Sequence, residues 1–149
     1  MPEGTVKKII LHFMLISVGA VVLFWGNTLS RQQTQFTKGE QALARGNEID
    51  AISGFSSAIH LYTPGSSLTN AAADRLWALG ERLERGGDTE RSLIAYRSLR
   101  SACYAIRGLT SPCSGWIARC DEKLAKLADG TMSSARSSGH GPPVLKERQ

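Results

Sequence analysis

QFTKGEQALARGNEIDAISGFSSAI, from Gln35 to Ile59, returns in altered form as LWALGERLERGGDTERSLIAYRSLR, from Leu76 to Arg100. The offset is 41 residues. It sets Gly39 on Gly80, Ala42 on Leu83, Gly46 on Gly87, Asn47 on Asp88, Ala51 on Ser92, Phe55 on Tyr96 and Ala58 on Leu99. Each copy reads as a helix, a tight Gly-Asn or Gly-Asp turn, and a second helix. Gly46 and Gly87 supply the backbone freedom that ends the first helix. Asn47 and Asp88 have the side chains that cap the second. The small residues Gly39, Gly80, Ala51 and Ser92 let paired helices approach closely, and Phe55 and Tyr96 fill the space between layers. Along the second helix of the later copy, Leu93, Tyr96, Leu99, Ala102 and Cys103 recur at the spacing of a buried stripe. A further step of 41 carries Leu76 onto Ile117 and Leu83 onto Leu124. A truncated third copy is therefore expected, although Asp121 stands where its glycine would be.

This arrangement resembles the tetratricopeptide repeat, whose pattern of aromatic, Leu-Gly, bulky, Ala, aromatic, Ala and Pro spans about 34 residues. The later copy matches it at Leu79–Gly80, Leu83, Gly87–Asp88, Ser92, Tyr96 and Leu99. The earlier one matches at Gly39, Ala42, Gly46–Asn47, Ala51, Phe55, Ala58 and Pro64. The period is longer because TPGSSLTN (Thr63–Asn70) extends the connection, and Ser and Leu replace Ala in the later copy. A generic antiparallel helix bundle with glycine turns is the alternative. Either way the expected class is all-α. The resemblance implies a partner-binding groove built from the first helix of each pair. Its groove-facing positions here are Phe36, Glu40, Leu43, Asp74, Trp77, Glu81 and Arg85. Trp77 reads either as a binding anchor beside charges or as packing between repeats.

Upstream, Ile9–Trp25 reads IILHFMLISVGAVVLFW, uncharged apart from His12 and near the minimum length for crossing a bilayer core. A domain of about 100 residues is too small to wrap an all-apolar helix on every side. The residues after the run, LFWGNTLSRQQ, lack the small-residue pair of a cleaved signal peptide, so an uncleaved anchor is expected. Lys7 and Lys8 precede it. They favour a cytoplasmic N-terminus and a periplasmic or extracellular domain, against the opposing pull of Arg31, Lys38 and Arg45. His12 is one turn from the interface and reads as a tolerated interfacial side chain.

The expected organisation is a short tail (1–8), a transmembrane anchor (9–29), a helical domain of about five helices (30–128) and a disordered tail (129–149) containing a candidate docking motif around Pro142–Leu145. Two full copies are few for a repeat array, which ordinarily needs three. Trp116, Ile117, Cys120 and Leu124 share a face and would cap one end. The bilayer, a second copy or another subunit would cover the other.

The net charge of +5 is spread evenly along the chain. No run of like charge marks a nucleic-acid arm. Arg97, Arg100 and Arg107, with Tyr104 between them, form the one basic patch, read as a solvated face or a site for an acidic partner. Glu81 and Arg85 have the spacing of a weak surface pair. Cys103, Cys113 and Cys120 contain no C-x-x-C, so no zinc ribbon or redox motif is expected. In an oxidising compartment Cys103–Cys113 or Cys113–Cys120 would pair, and otherwise the thiols are buried and free. His12, His60 and His140 are too dispersed for a metal site. No phosphate loop, H-E-x-x-H or G-x-S-x-G is present. The expectation is a membrane-anchored scaffold or accessory subunit of an envelope complex, binding proteins without cofactor or metal. The alternative is an integral structural subunit whose span packs on partner spans.

Overall fold

The computed structural model describes residues 3–108 and 112–137. Among the described residues there are five helices and no strand: α1 (Glu3–Ala44), α2 (Glu48–His60), α3 (Leu68–Arg85), α4 (Thr89–Ala105) and α5 (Ser114–Ser137). The all-α expectation holds.

The two turns are built alike. The turn after α1 contains Gly46 (φ 73°) and the turn after α3 contains Gly87 (φ 82°), both in the left-handed region that side chains avoid. The amides of Asn47 and Asp88 reach back to the carbonyls of Ala42 and Leu83, each at 2.9 Å, satisfying groups that a helix end leaves open. The Asn47 and Asp88 side chains then accept from the amides of Asp50 (3.2 Å) and Arg91 (2.9 Å), starting α2 and α4.

Packing repeats in the same way. Phe55 and Tyr96 are fully buried. A Cβ on Gly39 would lie 2.8 Å from the Phe55 ring, and one on Gly80 2.8 Å from the Tyr96 ring. Only glycine allows either ring to rest on the facing helix backbone. Around these plugs Ile52, Ile59, Leu76, Leu79, Leu83, Leu99 and Cys103 complete one continuous core. Glu48 links the hairpins at their turn end, 2.7 Å from the Arg91 guanidinium and 3.8 Å from that of Arg82. The α5 face expected to cap the array does pack inward: Cys120 is buried, with Trp116, Ile117 and Leu124 half-buried.

Two boundaries differ from the sequence reading. The expected tail, anchor and first repeat helix are one helix of 42 residues, about 63 Å long at 1.5 Å per residue. Nothing between Gly26 and Gln35 stops it. There is no proline, and the hydroxyls of Thr28 and Thr34 donate to carbonyls one turn back, those of Phe24 (3.0 Å) and Ser30 (2.9 Å). A lone glycine at 26 costs only about 1 kcal/mol between two long helical runs. At the other end α5 continues to Ser137, past Asp129, where the disordered tail was expected to begin. ADGTMSSARS contains no proline, so a helix stabilised upstream extends through it residue by residue. Pro142–Leu145 and His140 lie outside the described residues.

The apolar stretch of α1 has a mean hydropathy of 2.3 and none of it is buried against the rest of the protein. Phe13, Leu23 and Phe24 each expose more than 70% of their surface. Among the described residues there is therefore one N-terminal helix long and apolar enough to cross a bilayer, and its apolar stretch is not part of the domain core.

Candidate protein-interaction surface

The first helices of the hairpins are the second half of α1, then α3, with α5 following. The positions expected to face a groove separate into three groups. Phe36, Leu43 and Trp77 are half-buried and pack against the core. Phe36 meets Phe55 edge-on with centroids 5.6 Å apart. Glu40 and Glu81 are held by neighbours: the Arg75 guanidinium lies 3.0 Å from Glu40, and the Trp77 indole N–H donates to Glu81 at 2.8 Å. Glu81 takes the indole as its partner, and the expected Glu81–Arg85 pair does not form. Asp74 and Arg85 remain exposed.

Of the two readings of Trp77, the structure shows packing and not a free anchor. Its ring lies 5.0 Å from Tyr96 and 5.7 Å from Trp116, and the Arg119 guanidinium sits 4.4 Å from Trp77 and 4.3 Å from Trp116. α5 supplies Trp116 and Arg119 three residues apart, so both project from one helix face. A cation held over two indoles contributes about 0.5–2 kcal/mol according to its exposure. The stack thus joins α3, α4 and α5.

Beside it are two recesses that share Glu81 and Lys123. One, of about 390 Å³, is lined by Glu81, Glu84, Arg85 and Lys123. The other, of about 250 Å³, is lined by Trp77, Glu81, Arg119, Glu122, Lys123 and Lys126. Opposite charges interleave along both. Glu84 anchors the floor, accepting from Tyr96 Oη (3.0 Å) and Lys123 Nζ (3.0 Å). Burial pushes the Glu84 carboxyl up, but these two donors outweigh it and hold the group below its ordinary value. The Tyr96 phenol moves the other way, raised by burial and by the facing carboxylate.

The basic patch on α4 is partly neutralised. Arg100 is ion-paired with Asp121 of α5. Tyr104, 39% exposed, lies between the guanidiniums of Arg100 and Arg107, each 5.1 Å from its ring centre. Arg97 is exposed one turn above Arg100.

Cys103, Cys113 and Cys120 are buried free thiols. Of the pairings expected under oxidation, Cys103 and Cys113 are the two thiols that lie close enough to influence each other's ionisation. The facing Cys113 thiol, together with burial, pushes the Cys103 thiol up, and Cys103 in turn draws Cys113 down. Among the described residues no cluster of His, Cys, Asp or Glu is arranged to hold a metal ion.

Two residues of consequence were not singled out from the sequence. Arg119 was signalled by its spacing from Trp116. Gln32 is fully buried at the junction of three helices, donating from Nε2 to the Ala58 carbonyl and to Thr69 Oγ1, both at 3.0 Å. One repeat further on stands the buried Ala73, so the periodicity itself pointed inward at position 32. Comparisons of the chain with protein-family models, with curated proteins and with solved structures find no match.

Proposed function

We propose that the chain is a membrane-anchored protein-interaction module, a scaffold or accessory subunit of a cell-envelope complex, with tetratricopeptide-like hairpins as its binding part. The carrying observation is the pair of charge-lined recesses between α3 and α5 in a domain that a single helix, α1, joins without a break to an exposed apolar stretch. The recesses suit a protein segment with alternating acidic and basic side chains. Anchoring confines such a partner to the membrane surface and raises its effective concentration. Because α1 is unbroken, the anchor fixes orientation as well as distance. Lys7 and Lys8 support a cytoplasmic N-terminus with the domain periplasmic or extracellular.

A photo-reactive residue is best placed at Arg85, which is exposed on the recess, since replacing Trp77 would dismantle the stack. In native membranes the full chain labelled there should cross-link to one reproducible protein partner, and labelling at Arg45, near the turn of the first hairpin, should not. Equal labelling from both positions contradicts the assignment.

The continuity of α1 also favours a second reading, an integral structural subunit whose span packs on other spans and thereby orients the domain. Removing residues 1–30 separates the two. A scaffold leaves a soluble, monomeric, cooperatively melting domain, whereas a structural subunit leaves an aggregate.

A further inference from the structure

Charge divides the domain by height. Gln32 bonds to both Ala58 and Thr69, which puts the start of the packed part of α1, the end of α2 and the beginning of α3 at one level. Gly80 faces Tyr96. Equal steps back along α3 and forward along α4 from that contact set Thr69 level with Arg107. The end of the domain nearest the apolar stretch is therefore built from residues around Arg31, from His60 to Leu68, and from Tyr104 to Gly108. No Asp or Glu occurs in 26–39, 51–73 or 92–108; the cations at that end are Arg31 and Arg107, whereas the same steps put Arg100 and Arg97 above Asp74. The carboxylates of the two hairpins begin at Glu40 and Asp74, farther up.

Gln32 lies seven residues past Trp25, about 10 Å along the helix. With the apolar run in a hydrocarbon core, that level is the outer edge of the headgroup layer. α4 packs beside α2, which packs on α1. Two interaxial spacings place α4 about 20 Å from the α1 axis. The usual helix tilt then changes its height by about 7 Å, comparable with the distance of about 8 Å over which a membrane surface potential decays at physiological salt.

We propose that this end of the domain binds anionic phospholipid headgroups, with Arg107 contacting phosphate, Tyr104 lying in the interface and Arg31 adding to the field. Tyr104 is the residue type that settles at a membrane–water boundary. It keeps the Arg107 guanidinium in place against its ring, while Arg100 is occupied by Asp121. Contact at a second point, away from α1, restrains the domain from swinging about the anchor axis.

The proposal rests on α1 being a membrane span, and the test separates the two. The full chain is reconstituted into phosphatidylcholine vesicles and into mixed phosphatidylcholine–phosphatidylglycerol vesicles. Backbone hydrogen exchange is then followed over Tyr104–Gly108. Alkali-resistant association with both vesicle types tests the span, and its failure removes the anchor and this proposal with it. Given association, exchange should be about fivefold slower in the mixed vesicles, the effect of one cation at an anionic surface. Arg107→Gln should abolish the difference. Arg97→Gln, about 15 Å farther up α4, should leave it intact. Equal exchange in the two vesicle types, equal sensitivity to the two substitutions, or the same slowing from inorganic phosphate added to the neutral vesicles would each overturn the assignment.

Discussion

Replacing Gly54 by alanine tests the helix packing more severely than any large-to-small change. Gly54 is in the middle of α2, where alanine is intrinsically favoured over glycine by about 1 kcal/mol. On propensity alone the variant should be more stable. The tertiary geometry says the reverse. A Cβ at this position would lie 2.6 Å from the Gly39 amide nitrogen, 2.7 Å from the Gly39 Cα and 3.1 Å from the Gln35 carbonyl oxygen. All three are backbone atoms of α1, so no side chain can rotate away. An ordinary contact needs about 0.8 Å more room, and only separation of α1 from α2 provides it. That movement lifts Phe55 off Gly39 and loosens its edge-on contact with Phe36. Overpacking of this kind costs about 1–3 kcal/mol. With rigid backbone on both sides we take the upper value, and subtracting the propensity gain leaves about 2 kcal/mol of destabilisation. For a domain of about 100 residues this lowers the midpoint by about 8–16 °C. Gly130→Ala is the matched control: exposed on α5 with nothing within 4 Å of the added methyl, it should stabilise slightly. The assay is thermal melting of the full chain in detergent, followed by helical circular dichroism. A Gly54→Ala domain as stable as the parent would refute the close packing of α1 on α2.

Asn47→Ala and Asp88→Ala remove equivalent caps and should each cost about 1 kcal/mol in denaturant melts; a neutral result at both would discount the turn geometry. Glu84 is held below its unfolded value of 4.5, so its contribution is present above that pH and is lost as pH falls through the folded value. Glu84→Gln should flatten stability–pH curves on the acid side, and an unchanged slope would count against the Lys123–Glu84–Tyr96 bridge. The Tyr96 phenol is raised above 10.0, so its contribution is complete below that pH and fades as pH rises toward the folded value; Tyr96→Phe should reduce the alkaline loss measured in the same titration. Thiol reagents should modify Cys103, Cys113 and Cys120 only on unfolding, because all three are buried; rapid labelling of the native chain would contradict that burial.

The hairpins were legible in the sequence because their determinants are local and occur twice. Gly46–Asn47 and Gly87–Asp88 specify turn and cap within a few residues, and the repeat offset paired Gly39 with Phe55 in the same way as Gly80 with Tyr96. The continuity of α1 was harder to read. GNTLSRQQT is polar enough to pass for a linker, and with no proline in it the helical runs on either side carry it as helix. The choice between the two readings of Trp77 could not be made from its own neighbourhood. Whether an indole on α3 is bare or covered depends on where α5 docks, which is decided by contacts distant in the chain. Gln32 reads as surface by residue type and becomes interior because the Ala58 carbonyl and the Thr69 hydroxyl at the helix junction accept from its Nε2.

The rod joining the apolar stretch to the hairpins is best tested by pulsed electron–electron spin resonance on the full chain in lipid vesicles, with nitroxides at Ile16→Cys and Lys38→Cys. An unbroken helix puts the two sites about 33 Å apart in a single narrow distribution. A broad distribution, or one centred well below that distance, would mean that the chain bends on leaving the bilayer and that the domain is loosely tethered.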